Sequence, residues 1–137
     1  MKPTGQSFVC YADADFANNW CPKKAGWDND TSKSRTGYII LYTGCPVVWA
    51  SKLQTETVLS TTEAEYVALS QALQEVIPLM SVIKELKTAN IFDAGTIPEV
   101  RCTLFEDNKG ARELATVHNT DPAQNISIIS ITISGTQ

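Results

Sequence analysis

The 137-residue chain predicts an α/β fold, a mixed sheet with helices packed on it. Three observations point there. The chain opens with three short runs rich in β-branched and aromatic residues, two of them joined by a tight turn. A capped helical pattern comes next. Strand and helix patterns then alternate, which adds strand–helix units to an antiparallel start.

The first run, Ser7 to Asp13, is a short strand ending at an acid. Residues 16–33 are rich in Asn, Pro, Gly, Asp and Lys, with Trp20 and Trp27 among them, and form a long loop of the functional kind. Thr36 to Tyr42 and Pro46 to Ser51 are the second and third strands, and Thr43-Gly44 between them is a hairpin signal. Ser60-Thr61-Thr62-Glu63 has the spacing of a capping box. Ala64, Val67, Ala68, Ala72 and Leu73 continue it with helical spacing, and Pro78 is expected to kink or divide that helix before it resumes to Leu86. A connection over residues 88–99 leads to a fourth strand, Val100 to Phe105. Glu106-Asp107-Asn108 then opens a helix over 109–116. From Ile126 to Ile133, Ile alternates with Ser or Thr, a strong strand pattern. The helix between the third and fourth strands is a crossover, right-handed where the strands it joins are parallel.

A chain of this length suits one domain. It can bury roughly two thirds of its unfolded surface. Hydrophobic residues at 43% and charged residues at 19% exclude wholesale disorder. The net charge of −4 argues against nucleic-acid affinity through bulk charge, and no Lys or Arg follows Arg112. Any nucleic-acid contact therefore runs through the earlier part of the chain, or through acids loaded with metal. No run of about 18 apolar residues occurs, so no membrane partner is expected. Met1 to Ser7 lacks the apolar stretch of a secretory signal. Cys10, Cys21, Cys45 and Cys102 are irregularly spaced and read as reduced, mostly packed thiols of an intracellular protein.

Three acids stand where they can meet. Asp13 ends the first strand, Glu65 lies in the first turns of the long helix, and Asp107 follows the fourth strand. Ligand sites of open α/β sheets gather at the carboxyl ends of strands. Carboxylates converging there repel one another unless a cation neutralises them, and hard divalent ions take oxygen ligands. Two such ions about 4 Å apart clamp the attacking and leaving oxygens of phosphodiester hydrolysis. Each acid also has a structural reading: a turn acid for Asp13, dipole complementation for Glu65, and a cap for Asp107, with Asn108 competing.

Five segments carry a resemblance. Tyr11-Ala12-Asp13-Ala14-Asp15-Phe16-Ala17, Ser34-Arg35-Thr36-Gly37-Tyr38, Val48-Trp49-Ala50-Ser51-Lys52-Leu53-Gln54, Leu59 to Leu69 with its Glu63-Ala64-Glu65 core, and Phe105-Glu106-Asp107-Asn108-Lys109-Gly110-Ala111 occur in this order. Together they resemble the ribonuclease H domain of copia-type LTR-retrotransposon polyproteins (Pseudoviridae). The resemblance implies a ribonuclease H-like mixed sheet and two-metal hydrolysis of the RNA strand of an RNA–DNA hybrid during reverse transcription. It implies Asp13, Glu65 and Asp107 as catalytic and metal-binding residues, with Asp15, which would share a strand face with Asp13, as a secondary candidate. It implies Mg²⁺ as cofactor, with Mn²⁺ as substitute. The partners it implies are the hybrid and an adjoining reverse transcriptase segment, in the cytoplasm or a virus-like particle.

The likeness covers residues 8–116, so residues 1–116 read as the ribonuclease H-like domain and 117–137 as a divergent tail. The family continues with a basic stretch, a further strand and a final helix bearing a fourth metal-site Asp. Here Pro122 to Ser127 holds no cation, and Asp121 does not match that position. The tail either departs from the fold or supplies a substitute edge strand. Loss of the fourth acid is expected to impair hydrolysis. The alternative function is a catalytically inactive remnant that binds nucleic acid or protein.

Other residues have weaker claims. Arg35, Lys52 and Lys109 are candidates for phosphate contact, and Asn108 for substrate contact or helix capping. Ser51 and Gln54 are candidates for a ribose. Trp20, Trp27, Lys23 and Lys24 either touch nucleic acid or belong to a loop that packs its own aromatics. His118 reads as a surface residue, and Trp49 and Tyr66 as core.

Overall fold

The structure is a computed structural model that describes residues 8–17, 20–24, 26–91, 99–118 and 126–130. Its sheet has five strands in the order β3-β2-β1-β4-β5, with β1 over Phe8–Asp15, β2 over Arg35–Tyr42, β3 over Cys45–Leu53, β4 over Cys102–Glu106 and β5 over Ile126–Ser130. Helix α1 spans Thr61–Thr88 and α2 spans Lys109–His118. The first three strands are antiparallel, and β4 runs parallel to β1, as the α1 crossover requires.

Strand β1 alternates between the two faces of the sheet. Phe8, Cys10, Ala12 and Ala14 point into the core, while Tyr11, Asp13 and Asp15 face outward. The β2–β3 connection is the expected two-residue hairpin. Thr43 and Gly44 both take positive φ, 49° and 87°, the turn whose twist matches the flanking strands. In the tail, β5 pairs parallel with β4, setting Cys102 opposite Ile126 and Glu106 opposite Ser130. It therefore lies at the sheet's edge, while residues 119–125, with Asp121, and 131–137 lie outside the described residues.

Ser60 caps the helix as expected, and Glu63 reaches back one residue beyond it, to Leu59. Glu63 N–H donates to Ser60 Oγ at 3.1 Å, and Glu63 Oε2 accepts from Leu59 N–H at 2.8 Å. Pro78 does not divide the helix, which is continuous to Thr88. A proline inside a helix costs about 3 kcal/mol. Val76 and Met80, on either side of Pro78, are both buried in the core under α1, and each contributes roughly 1.5–3 kcal/mol, so packing outweighs the lost hydrogen bond. Helix α1 is long and apolar enough by length and composition to cross a bilayer, although no run of purely apolar residues foretold it. Its buried stripe packs against the sheet instead, Leu69, Ala72, Val76 and Met80 meeting Phe8, Cys10, Ile40 and Leu104.

Several expectations about side chains are corrected. Trp49 is not core: it is 70% exposed, because it lies opposite Ile39 on the face away from α1, while Val48 and Ala50 take the core side. Tyr66 is partly buried and packs against the core. The long loop does not pack its own aromatics. Trp20 and Trp27 are exposed, and the loop is held by backbone bonds such as Asp28 N to Lys24 O at 2.8 Å and by a short 3₁₀ turn over Asn29–Ser32. All four cysteines are free, but only Cys10 and Cys102 are buried; Cys45 is exposed and Cys21 half-buried. Burial pushes both buried thiols up to about 12, so they stay protonated and inert.

Candidate metal centre

The sheet brings three acids to one end. Strands β1 and β4 are parallel neighbours, so Asp13 near the end of β1 and Asp107 just past β4 come to the same edge. Helix α1 begins there too. Its first turns carry Ala64 and Ala68, both fully buried against Ala14 and Val58, and these small side chains let α1 approach β1 closely. Glu65 is delivered between them. Ligand atoms of Asp13, Glu65 and Asp107 all lie within 4.8 Å of one another.

Glu65 bears a large electrostatic cost. It is buried, and its Oε2 has no hydrogen-bond partner. Burial first, then the charges of Asp13 and Asp107, push its carboxyl up to about 7, although a backbone N–H of Ala14 works in the opposite direction. A buried carboxylate oxygen without a donor, facing two more acids, is a donor set that fits a hard divalent cation.

A fourth acid lies close by and was not singled out from the sequence. Glu106 is 1% exposed, its Oε1 accepts from Asn108 N–H at 3.1 Å, and its Oε2 is buried without a partner. Burial above all, with Glu65 and Asp107 adding to it, raises its carboxyl to about 8 against the pull of the Asn108 N–H. Strand parity is the signal that could have revealed it. Cys102, Leu104 and Glu106 alternate onto one face of β4, and the first two are core.

The remaining candidates fall into place around this end. Asp15 is exposed on the same face of β1 as Asp13 and lies directly opposite Arg35, outside the three-carboxylate group. Lys52 is exposed opposite Thr36, with its Nζ 5.9 Å from the centre of the Tyr38 ring. Lys109 opens α2 and stands 3.9 Å from Glu113. Asn108 caps α2, its Oδ1 accepting from Ala111 N–H at 3.0 Å. Gly110 permits close contact between α2 and α1, since a Cβ there would lie 2.9 Å from Thr62 Cγ2. Ser51 is exposed in the cross-strand row of Asp13 and Gly37. Gln54 is not available to a ribose: it is 2% exposed, with its amide directed inward. The side chain of His118 lies outside the described residues.

The chain has relatives among known proteins. Its fold is similar to that of a solved LC11-RNase H1 in complex with an RNA/DNA hybrid, with a TM-score of 0.53 over 92% of this chain and 86% of that one. The fold is ribonuclease H-like. Sequence identity in that pair is 14%, so the likeness speaks for the fold alone. No protein-family model matches the chain. It is 42% identical over 76 residues to the retrovirus-related Pol polyprotein from transposon TNT 1-94 of Nicotiana tabacum. It is 35% identical over 80 residues to that from transposon RE1 of Arabidopsis thaliana. It is also 41% identical over 69 residues to secreted RxLR effector protein 161 of Plasmopara viticola. These matches cover 50–58% of this chain. They span 5% of either polyprotein and 42% of the effector.

Proposed function

We propose that this ribonuclease H-like chain is a copia-type retrotransposon ribonuclease H domain that hydrolyses the RNA strand of an RNA–DNA hybrid, acting beside a reverse transcriptase segment. The meeting of Asp13, Glu65 and Asp107 within 4.8 Å carries this reading. The polyprotein relatives and the hybrid bound by the structural neighbour support it.

Asp13, Glu65 and Asp107 would hold Mg²⁺, or Mn²⁺ in its place. The ion supplies Lewis acidity and charge neutralisation at a phosphodiester. The chain's own residues do the rest. The three carboxylates would hold the ion at this end of the sheet. Arg35 and Lys52 are exposed on β2 and β3 in the cross-strand rows of Asp15 and Ala14, so their charges stand at the same end as the acids and would meet hybrid phosphates. Lys109 would do so from the start of α2, and the Asn108 amide nitrogen is left for substrate while its oxygen caps the helix. Asp15 is an outer group that orders solvent around the site.

Glu106 lies close by but is not one of the three acids whose ligand atoms meet within 4.8 Å, and no other carboxylate joins them among the described residues. We therefore expect weak binding of one ion and slow hydrolysis by the isolated chain. The second reading, a silent nucleic-acid-binding module, draws on the same incomplete set and on exposed Trp20 and Trp27 beside Lys23 and Lys24.

Incubation of the purified chain with a labelled hybrid and Mg²⁺ or Mn²⁺ separates the two. Metal-dependent cleavage that disappears in Asp13→Asn sustains the nuclease. Folded protein that binds the hybrid and never cuts it, at any metal concentration, moves the assignment to the binding module.

A further inference from the structure

Three buried polar side chains near the acids are used by none of the steps above. Ser34 and Thr36 are 0% exposed and Gln54 is 2% exposed. Each has a partner on a different element. The N–H of Ala17, where the chain leaves β1 with φ of 45°, donates to Ser34 Oγ at 3.3 Å. Gln54 N–H donates to Ser34 O at 2.8 Å. The Gln54 side-chain Nε2 donates twice, to Thr36 Oγ1 at 3.1 Å and to Ala64 O at 2.9 Å. Ala64 O can only accept, so the orientation of the amide is fixed by its partner.

These bonds link two of the three acid-bearing elements, β1 and α1. One end of the chain of contacts holds the exit of β1, four residues past Asp13. The other holds the carbonyl of the residue before Glu65. The amide is kept there although Gln54 Oε1 is buried without a partner, a cost an apolar side chain of the same length would avoid. Helix α1 needs no such bond for its own ladder or its cap, since Ser60 and Glu63 already cap it. What the bracket adds is a fixed spacing between β1, the start of β2, the end of β3 and the first turn of α1.

We propose that Ser34, Thr36 and Gln54 act as positioning residues that set the approach of the Glu65 carboxylate to Asp13. The inference rests on the metal-site reading above. The bracket touches neither metal nor substrate, and acts by fixing where Glu65 stands.

Mn²⁺ titration by calorimetry, at a temperature well below unfolding, tests it on wild type, Asp13→Asn, Gln54→Met, Thr36→Val and Thr36→Ser. Gln54→Met keeps length and volume and removes both donated bonds. Thr36→Val removes the hydroxyl at constant shape, and Thr36→Ser keeps it. Outer groups that orient metal ligands change affinity by about 10–100-fold, so Gln54→Met and Thr36→Val are expected to weaken Mn²⁺ binding by about tenfold, with Thr36→Ser close to wild type. A bracket that only stabilises the fold would lower the melting temperature and leave the affinity of the folded protein unchanged. Unchanged affinity in both variants, with binding abolished in Asp13→Asn, overturns the bracket and leaves the metal site standing. Absence of Mn²⁺ binding by wild type overturns both. Where Gln54→Met does not fold by circular dichroism, the Thr36 pair decides alone.

Discussion

Two stretches of α1 face the same sheet and bury opposite chemistry. From Leu69 to Met80 the helix sets hydrocarbon against Phe8, Cys10, Ile40 and Leu104. One helical turn earlier it buries Glu65, over a patch that also holds Glu106, Gln54 and Thr36. In the first stretch the apolar contacts lower the free energy of folding, with the buried, unpartnered Gln71 Oε1 as the exception. In the second, Glu65 Oε2, Glu106 Oε2 and Gln54 Oε1 are all buried without a partner. Local rules of stability are broken in a ribonuclease H-like fold at the place where three acids converge, and such clustering of perturbed groups is a mark of a functional site. The apolar stretch holds the acids together against their own repulsion.

The largest break in this contrast comes from the apolar stretch. Leu69 is 0% exposed, so Leu69→Ala is expected to cost about 2–5 kcal/mol in urea unfolding. A cost under about 1 kcal/mol would mean that the core under α1 is not what holds this end together.

The acidic stretch is tested by pH. Glu65 and Glu106 have folded values near 7 and 8, above an unfolded value of 4.5. The folded state therefore holds more protons than the unfolded state between these limits. Their contribution to stability is fully present below pH 4.5 and is lost as pH rises through 7 and 8, by up to about 1.4 kcal/mol per pH unit for each group. Glu106→Gln removes one of the two groups. Its stability should exceed that of wild type by a few kcal/mol at pH 9 and match it at pH 4, as read by urea midpoints. Equal pH slopes in the two proteins would contradict the burial of a strained acid. Mg²⁺ that binds the folded state should raise the melting temperature of wild type at pH 8, and not that of Asp13→Asn.

A smaller effect sharpens the boundary between the two stretches. Ser60→Ala removes the cap at the start of the acidic turn and should cost about 1 kcal/mol, a loss that Ser60→Asp restores. The smallest lies on the other face of the sheet. Trp49 is 70% exposed, so Trp49→Ser should leave stability within about 0.5 kcal/mol of wild type. A large loss would return Trp49 to a core.

Much of this was legible in the sequence because the signals are local. Alternation in Phe8–Asp15, the Thr43-Gly44 turn and the Ser60–Glu63 box each depend on neighbours within a few residues. So does the parity that sets Asp13 and Asp15 on one face of β1. The five ordered motifs contain all three of the acids that converge. What was missed depends on partners distant in the chain. Pro78 stays inside a continuous helix because the sheet below it pays for the missing bond. Trp49 is exposed because its register with Ile39 turns it away from α1, and no residue in its own strand says so.

The sequence alone determined the order of the elements, the helix cap and the identity of the converging acids, since each follows from periodicity, turn chemistry or motif. Tertiary structure alone decided which polar groups lost their water. Glu65 and Gln54 look on paper like any Glu or Gln near the end of an element, and the parity that sets Glu106 on the core face of β4 does not by itself say that water is excluded there. Their burial arises when α1 closes over β1 and β4, and desolvation is a property of what surrounds a group rather than of the group itself.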